Sequence, residues 1–429
     1  MYPMDNTLPF LTTDFAGIGG VIKTREEDFV VEEVPLYEPS GAGSHAYAFI
    51  EKKGISTRQA LGHIARGLNV SLRYLGSAGL KDARAVTRQW ISVEHVDPAR
   101  LAGLSLSNVR ILRTERHRNK LKPGHLAGNR FVIRLRRVNE PLSESAHITE
   151  EVLSVLARRG VPNYFGPQRF GDRQSNHLLG KAIIDDDIED FVHRFLGRPQ
   201  EGLDGPATLQ ARTLFEQGSY QEAVGVWPRR FHEQRRALKA LVRSDGDKTR
   251  AYQSVDRHLQ GFFISAYQSA LFNRVLAARM PRIDTLLLGD MAYKHDNGAC
   301  FAVEEPDVEQ PRCEAFDVSP TGPLLGPRMT RLTGPAGDIE NPILDAEKLS
   351  QAAMQQMKRL GSRGGRRPLR FQPRHIDVGT GIDDLGPYLE LRFELNPGCY
   401  ATCLIAEITK DRHSRTLSEG ASSTTNDRA

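Results

Sequence analysis

Cysteine is scarce in this chain: 4 in 429 residues, at Cys300, Cys313, Cys399 and Cys403. None belongs to a CxxC pair, which argues against a zinc ligand set and leaves reduced, packed thiols as the expectation. No apolar run approaches the roughly 20 residues that span a bilayer. The opening stretch, MYPMDNTLPFLTTDF, has neither the basic start nor the continuous apolar core of a signal peptide. A soluble, cytoplasmic chain with no membrane partner is therefore expected. There is no GxxxxGK(S/T), so a P-loop nucleotide site is not expected, and no HExxH or similar short-range ligand array that would support a metal. The glycines of FAGIGG do not complete a GxGxxG after a strand; a simple turn explains them.

What is present is length, mixed texture and unevenly placed positive charge. At 429 residues, two domains or one domain with a large insertion are expected. The net charge of +5 and the pI of about 9.0 favour a polyanionic partner without requiring one. RTERHRNKLKPGHLAGNRFVIRLRR, Arg113 to Arg137, is dense in Lys and Arg with Glu115 as its one acid. It ends in an alternating run, Phe131, Ile133 and Leu135 against Val132, Arg134 and Arg136, that predicts a strand with one apolar face. So much local charge with so little local acid points to a phosphate-facing surface. A second basic stretch, Arg359 to His375, is Gly-rich and is expected to be flexible, as a linker or phosphate contact.

Strands are predicted at DFVVEEVP, HAYAFIEKKG and RQWISVEHV, and a helix at STRQALGHIARGLNV with Ser56 or Thr57 as its N-cap. ESAHITEEVLSVLARRG reads as a helix closed by Gly160. From about 161 to 365 the text becomes more helical. It then returns to strand-like text at YLELRFELNPGCYATCLIAEITK and ends in a polar tail.

One carboxylate stands out. In AGLKDARAVTRQW, Asp82 is the single acid among Lys81, Arg84 and Arg88. It is expected in a tight loop before a strand, where neighbouring cations hold it ionised, fit to be a nucleophile or base. Spacing alone favours an N-cap, or a surface salt bridge to Arg84 or Lys81, over that role.

SAGLKDARAVTRQW closely resembles the signature of the TruD family of tRNA pseudouridine synthases. The resemblance continues in order through EDFVVEE, GAGSHAYAFIEKKGISTRQAL, RHRNKLKPGHLAGNRFVIRLR, GVPNYFGPQRFG, YQSALFNRVLAARM and LNPGCYATCLIAEI. It implies an α+β protein whose pseudouridine synthase catalytic domain, 1–160 and 366–415, has a curved mixed or antiparallel sheet. Residues 161–365 would form an inserted α/β TRUD domain, and 416–429 the polar tail.

The resemblance implies an isomerase that converts a uridine of tRNA, expected at position 13 in the D arm, to pseudouridine without a cofactor. Asp82 matches the catalytic aspartate, Phe29, Asn129 and Tyr400 match substrate-binding positions, and Lys23 matches a basic position nearby. Lys81, Arg84, Arg88, Arg116, Arg118 and Lys120 are candidates for tRNA phosphates. No obligatory protein partner is evident, and a monomer is expected. The chain departs from the pattern at Ala406: some members carry an arginine there, before Glu407, so another base, Arg84 or Lys81, must serve if that arginine pairs with the aspartate. The alternative is an inactive RNA-binding or RNA-folding protein of the same fold. A carboxylate-based hydrolase, which wants two spaced carboxylates, lacks a clear second one.

Overall fold

The computed structural model describes residues 8–412; the expected polar tail lies outside them. Two compact units result among them: Phe10–Val161 with Phe371–Arg412, and Pro162–Arg370 with residues 8–9.

The first unit is built on a sheet of nine strands among the described residues. In chain order its early elements are β1 (Gly19–Val21), β2 (Phe29–Pro35), β3 (His45–Lys53), α1 (Thr57–Leu68), β4 (Leu75–Ser77), β5 (Val86–Glu94), α2 (Pro98–Ala102), β6 (Val109–His117), β7 (Leu126–Val138) and α3 (Leu142–Arg159). The strands Arg374–Asp383 and Gly386–Leu395 complete it, and the helix Ala401–Thr409 follows. From one edge the order is Arg374–Asp383, Gly386–Leu395, β7, β2, β5, β3, β6, with β1 on β7 and β4 on β5. The β2–β5 pairing is parallel and the others are antiparallel, so the sheet is mixed.

Alternation fixes which side chains go inward. Phe131, Ile133 and Leu135 of β7 are buried, as the period of two required. Ser56 is the N-cap of α1: its Oγ accepts from Gln59 N while Gln59 Oε1 accepts from Ser56 N, closing a capping box. Ala60, Ile64 and Leu68, on one face of α1, pack on Ala46, Ala48 and Ile50 of β3 and Ile91 and Val93 of β5. Each fully buried Ile or Leu there contributes about 1.5–3 kcal/mol relative to exposure.

Both basic stretches look different once charge is placed in space: much of it is paired within the fold. Arg136 of β7 is buried against Asp28 at 2.6 Å and Asp383 at 2.7 Å, Arg134 meets Glu390 at 2.9 Å, and Arg130 meets Glu32 at 3.3 Å. The acids that neutralise this strand come from other strands. Likewise the stretch 359–375 is not an open linker. It forms the strand Gly365–Pro368, in which Arg366 is paired with Glu340 at 2.6 Å, and Arg370 is fully buried, donating to Ser319 Oγ. The text after Pro397 also departs from strand: Ala401–Thr409 is a helix buried almost all round, and a short, largely apolar run with no exposed face carries no period that separates helix from strand.

The second unit has a helical core in which Phe191, Phe195, Trp227 and Leu238 pack with Phe263 and Tyr267 of the 23-residue helix Arg257–Arg279. Its four-stranded antiparallel sheet runs Cys300–Ala302, Met291–Lys294, Val318–Leu324, Gly365–Pro368. No helix among the described residues is long and apolar enough to cross a membrane.

Candidate active site

Asp82 lies in the loop between β4 and β5, and the chain holds that loop by its backbone. At its start, Gly76 admits no side chain: a Cβ there would stand 2.2 Å from Leu121 O. Ala78 is buried beside Tyr47, Trp90 and Leu121, and its carbonyl accepts from Gly124 N at 2.8 Å. Gln89 of β5 donates to Gly79 O, and Lys81 N donates to Thr57 Oγ1 at 2.9 Å. Lys52 Nζ donates to Asp82 O and to Ile55 O, both at 2.7 Å. With its backbone fixed, the Asp82 side chain is left half-exposed. It caps no helix.

Lys23 Nζ lies 2.7 Å from the Asp82 carboxylate and forms an ion pair with it. Lys23 has φ of 58°, in the left-handed region that costs an ordinary residue about 1–2 kcal/mol. Its ammonium also lies 4.1 Å from the Phe29 ring centroid, a cation–π contact. Lys23, Phe29 and Asp82 thus form one contact group. Phe29 is 3% exposed and edge-on to Phe131, so its ring underlies Lys23 and is not open to solvent.

Lys81 turns the other way. Its Nζ donates to Asn129 Oδ1 at 2.6 Å and pairs with Glu33 Oε2 at 3.0 Å. Glu33 of β2 and Asn129 of β7 are register partners across the two strands, which sets both on one face of the sheet. Glu33 Oε1 accepts from Trp90 N, and burial pushes the Glu33 carboxyl upward against the pull of Lys81. Gly386–Leu395 brings Leu395 opposite Asn129, and the chain then turns through Gly398 to Tyr400, 36% exposed, at the head of the last helix.

Several expected phosphate contacts are engaged elsewhere. Lys81 is buried, Arg88 is tied to Glu51 at 2.9 Å and Glu32 at 3.2 Å, Arg116 to Asp97 at 2.9 Å, and Lys120 to the Arg73 carbonyl. Arg84 and Arg118 lie at exposed positions. Nor does Lys81 take the place of the arginine missing at Ala406: its Nζ is on Asn129 and Glu33, while Lys23 is on the Asp82 carboxylate. Glu407 is far from idle: its carboxylate accepts from Leu11 N, Thr12 N and Thr12 Oγ1, clamping the beginning of this unit to its last helix.

Two groups escaped the sequence reading, Lys52 and Glu33. Both are fully or almost fully buried. Lys52 continues the buried face Ala46, Ala48, Ile50 of β3, and Glu33 the face Phe29, Val31 of β2. A charge on the apolar phase of a strand was the available signal. Burial pushes the Lys52 ammonium down to about 8, partly offset by Asp82.

The family model of tRNA pseudouridine synthase D (TruD) matches residues 7–408. The chain belongs to the TruD family. Among its relatives is a tRNA pseudouridine synthase D of Geobacter sulfurreducens, 43% identical over 401 residues that cover 94% of this chain and 96% of the relative. One from Anaeromyxobacter dehalogenans is 37% identical over 410 residues, 94% and 96% of the two chains. A crystal structure of a Methanosarcina mazei protein assigned as tRNA pseudouridine synthase D superposes with a TM-score of 0.82 at 26% identity, covering 95% of this chain and 97% of that one. The family's α+β fold is thus the fold described above.

Proposed function

We propose that this chain isomerises a uridine of tRNA to pseudouridine, with Asp82 as the acting carboxylate and uridine 13 of the D arm as its target. The observation that carries this reading is a half-exposed carboxylate on a loop whose backbone is locked from beneath by a buried lysine. Such a group is open to a substrate yet held in position, as a catalytic nucleophile or base must be.

The reaction breaks the uridine N1–C1′ bond, turns the uracil, joins C5 to C1′ and releases the C5 proton. It involves no net redox change and no phosphate transfer, so the chemistry calls for neither cofactor nor nucleotide. Asp82 acts on the ribose or on the base; both routes use the same carboxylate, oriented by Lys23. The target is extruded from its stack to reach the loop. Tyr400, with its exposed ring, supplies a stacking surface, Phe29 supports Lys23, and Asn129 meets the base edge.

The test is tritium release from tRNA labelled at uracil C5, with wild type and Asp82→Asn compared. Release by wild type alone is expected. Equal release by both removes Asp82 from the reaction, and none from either leaves a binding-only protein. Carbodiimide mapping of the product then locates the modified uridine.

A further inference from the structure

We infer that Lys81, held by Glu33, fixes the orientation of the Asn129 amide and thereby makes the site read the C4 carbonyl of uracil and reject the C4 amino group of cytosine. This rests on the tRNA uridine isomerase reading above and assigns its base selectivity to two residues that touch no substrate.

The chemistry is one of donors and acceptors. A lysine ammonium has three donors and no acceptor, while a side-chain amide has a donor end and an acceptor end. With Lys81 Nζ at 2.6 Å, only Oδ1 of Asn129 can face it. The flipped amide would set N–H against N–H. Lys81 cannot step aside, because Glu33 Oε2 holds its Nζ at 3.0 Å, both side chains are buried, and its backbone N–H is bound to Thr57 Oγ1. Glu33 in turn is fixed by Trp90 N and by its place opposite Asn129 in the sheet.

The Nδ2 end of Asn129 therefore presents two hydrogens to whatever base enters. Uracil offers an acceptor oxygen at C4 and cytosine a donor amine, so one base completes the contact and the other leaves two donors facing each other. Lys81 and Glu33 are thus positioning residues for specificity. A contact at the C2 carbonyl, which both bases share, would give no discrimination, and that difference makes the assignment testable.

The measurement uses the full chain and two tRNAs that differ only in uridine or cytidine at the mapped target. In an Asp82→Asn background, which allows binding without turnover, dissociation constants are measured by filter binding. The background protein is expected to prefer the uridine tRNA by roughly fivefold to tenfold, the discrimination of one good base-edge contact. Lys81→Met frees the amide and brings the ratio close to one. Asn129→Asp, with Lys81 retained, presents only acceptors and moves the preference to the cytidine tRNA.

A purely structural role for Lys81 would weaken both tRNAs together and leave the ratio where it was, and that result overturns the inference. So does a ratio near one before any further substitution. If Lys81→Met fails to fold, Asn129→Asp decides alone, and a preference still on the uridine side overturns the inference. Tritium release by the wild type, measured in parallel, keeps the two readings apart: release with an unchanged ratio refutes only the selectivity, while no release removes the isomerase reading and this inference with it.

Discussion

Replacing Lys52 by Met separates the stability of the unit from the placement of its carboxylate. Lys52 is fully buried, and its ammonium is bound to the carbonyls of Ile55 and Asp82. A fall from 10.5 to about 8 means the buried charge costs about 3 kcal/mol at neutral pH. Opposing this, two hydrogen bonds from a charged donor contribute about 1.5–3 kcal/mol each. Methionine has similar length and no charge, so the two effects largely cancel and stability should fall by no more than about 3 kcal/mol, or some 10 °C at most. Activity should not be spared. The Asp82 carbonyl loses its anchor, and displacing a reacting group by an ångström costs about a hundredfold.

The pH dependence follows with a definite sign. The folded chain gives up the Lys52 proton near pH 8, whereas the unfolded chain holds it to 10.5. Between those values the folded state binds fewer protons, so this group's contribution to stability rises with pH across that window and is flat below it. Melting curves of wild type and Lys52→Met from pH 7 to 10.5 should therefore diverge in favour of wild type as pH rises. Tritium release by wild type should lose amplitude above about pH 8 through this group, a limb that the Met variant lacks. Parallel melting curves, or a variant as active as wild type, would refute the anchoring role.

Further outcomes are expected. Lys23→Met keeps the packing over Phe29 but removes the ion pair to a half-exposed Asp82; stability should change by less than about 1 kcal/mol while tritium release falls about tenfold or more. Arg136→Met takes the closest cation from Asp28, whose side chain has no exposure, and should cost about 3–5 kcal/mol, seen as a melting temperature lower by about 10 °C. Arg118→Ala, at an exposed position, should lower the slope of log affinity for tRNA against log salt by about one, whereas Lys81→Met should leave that slope unchanged.

Much of the first unit was legible because its signals are local. The apolar run of HAYAFIEKK, the alternation in RFVIRLR, the Ser56–Gln59 capping box and Gly160 after a helical run each report on neighbours a few residues away. The strand-like reading of the last helix failed because Ala401–Thr409 is buried almost all round and so carries no polar face to mark its period. The internal pairing of Arg134, Arg136 and Arg366 was not legible because their counter-charges, Asp28, Asp383, Glu340 and Glu390, are distant in sequence.

For the site the division is similar. The order of motifs was enough to join the chain to its family, and it nominated Asp82, Phe29, Asn129, Tyr400 and Lys23 as candidates. Which base meets which acid was not legible: Lys81 and Asp82 are adjacent, yet one turns inward to Glu33 and Asn129 while the other meets Lys23, 59 residues earlier. Sequence by itself settles composition, local periodicity and the residue types available for chemistry. Ion pairing and side-chain direction depend on strand register and loop closure, which act across tens to hundreds of residues, and only the folded sheet decided them.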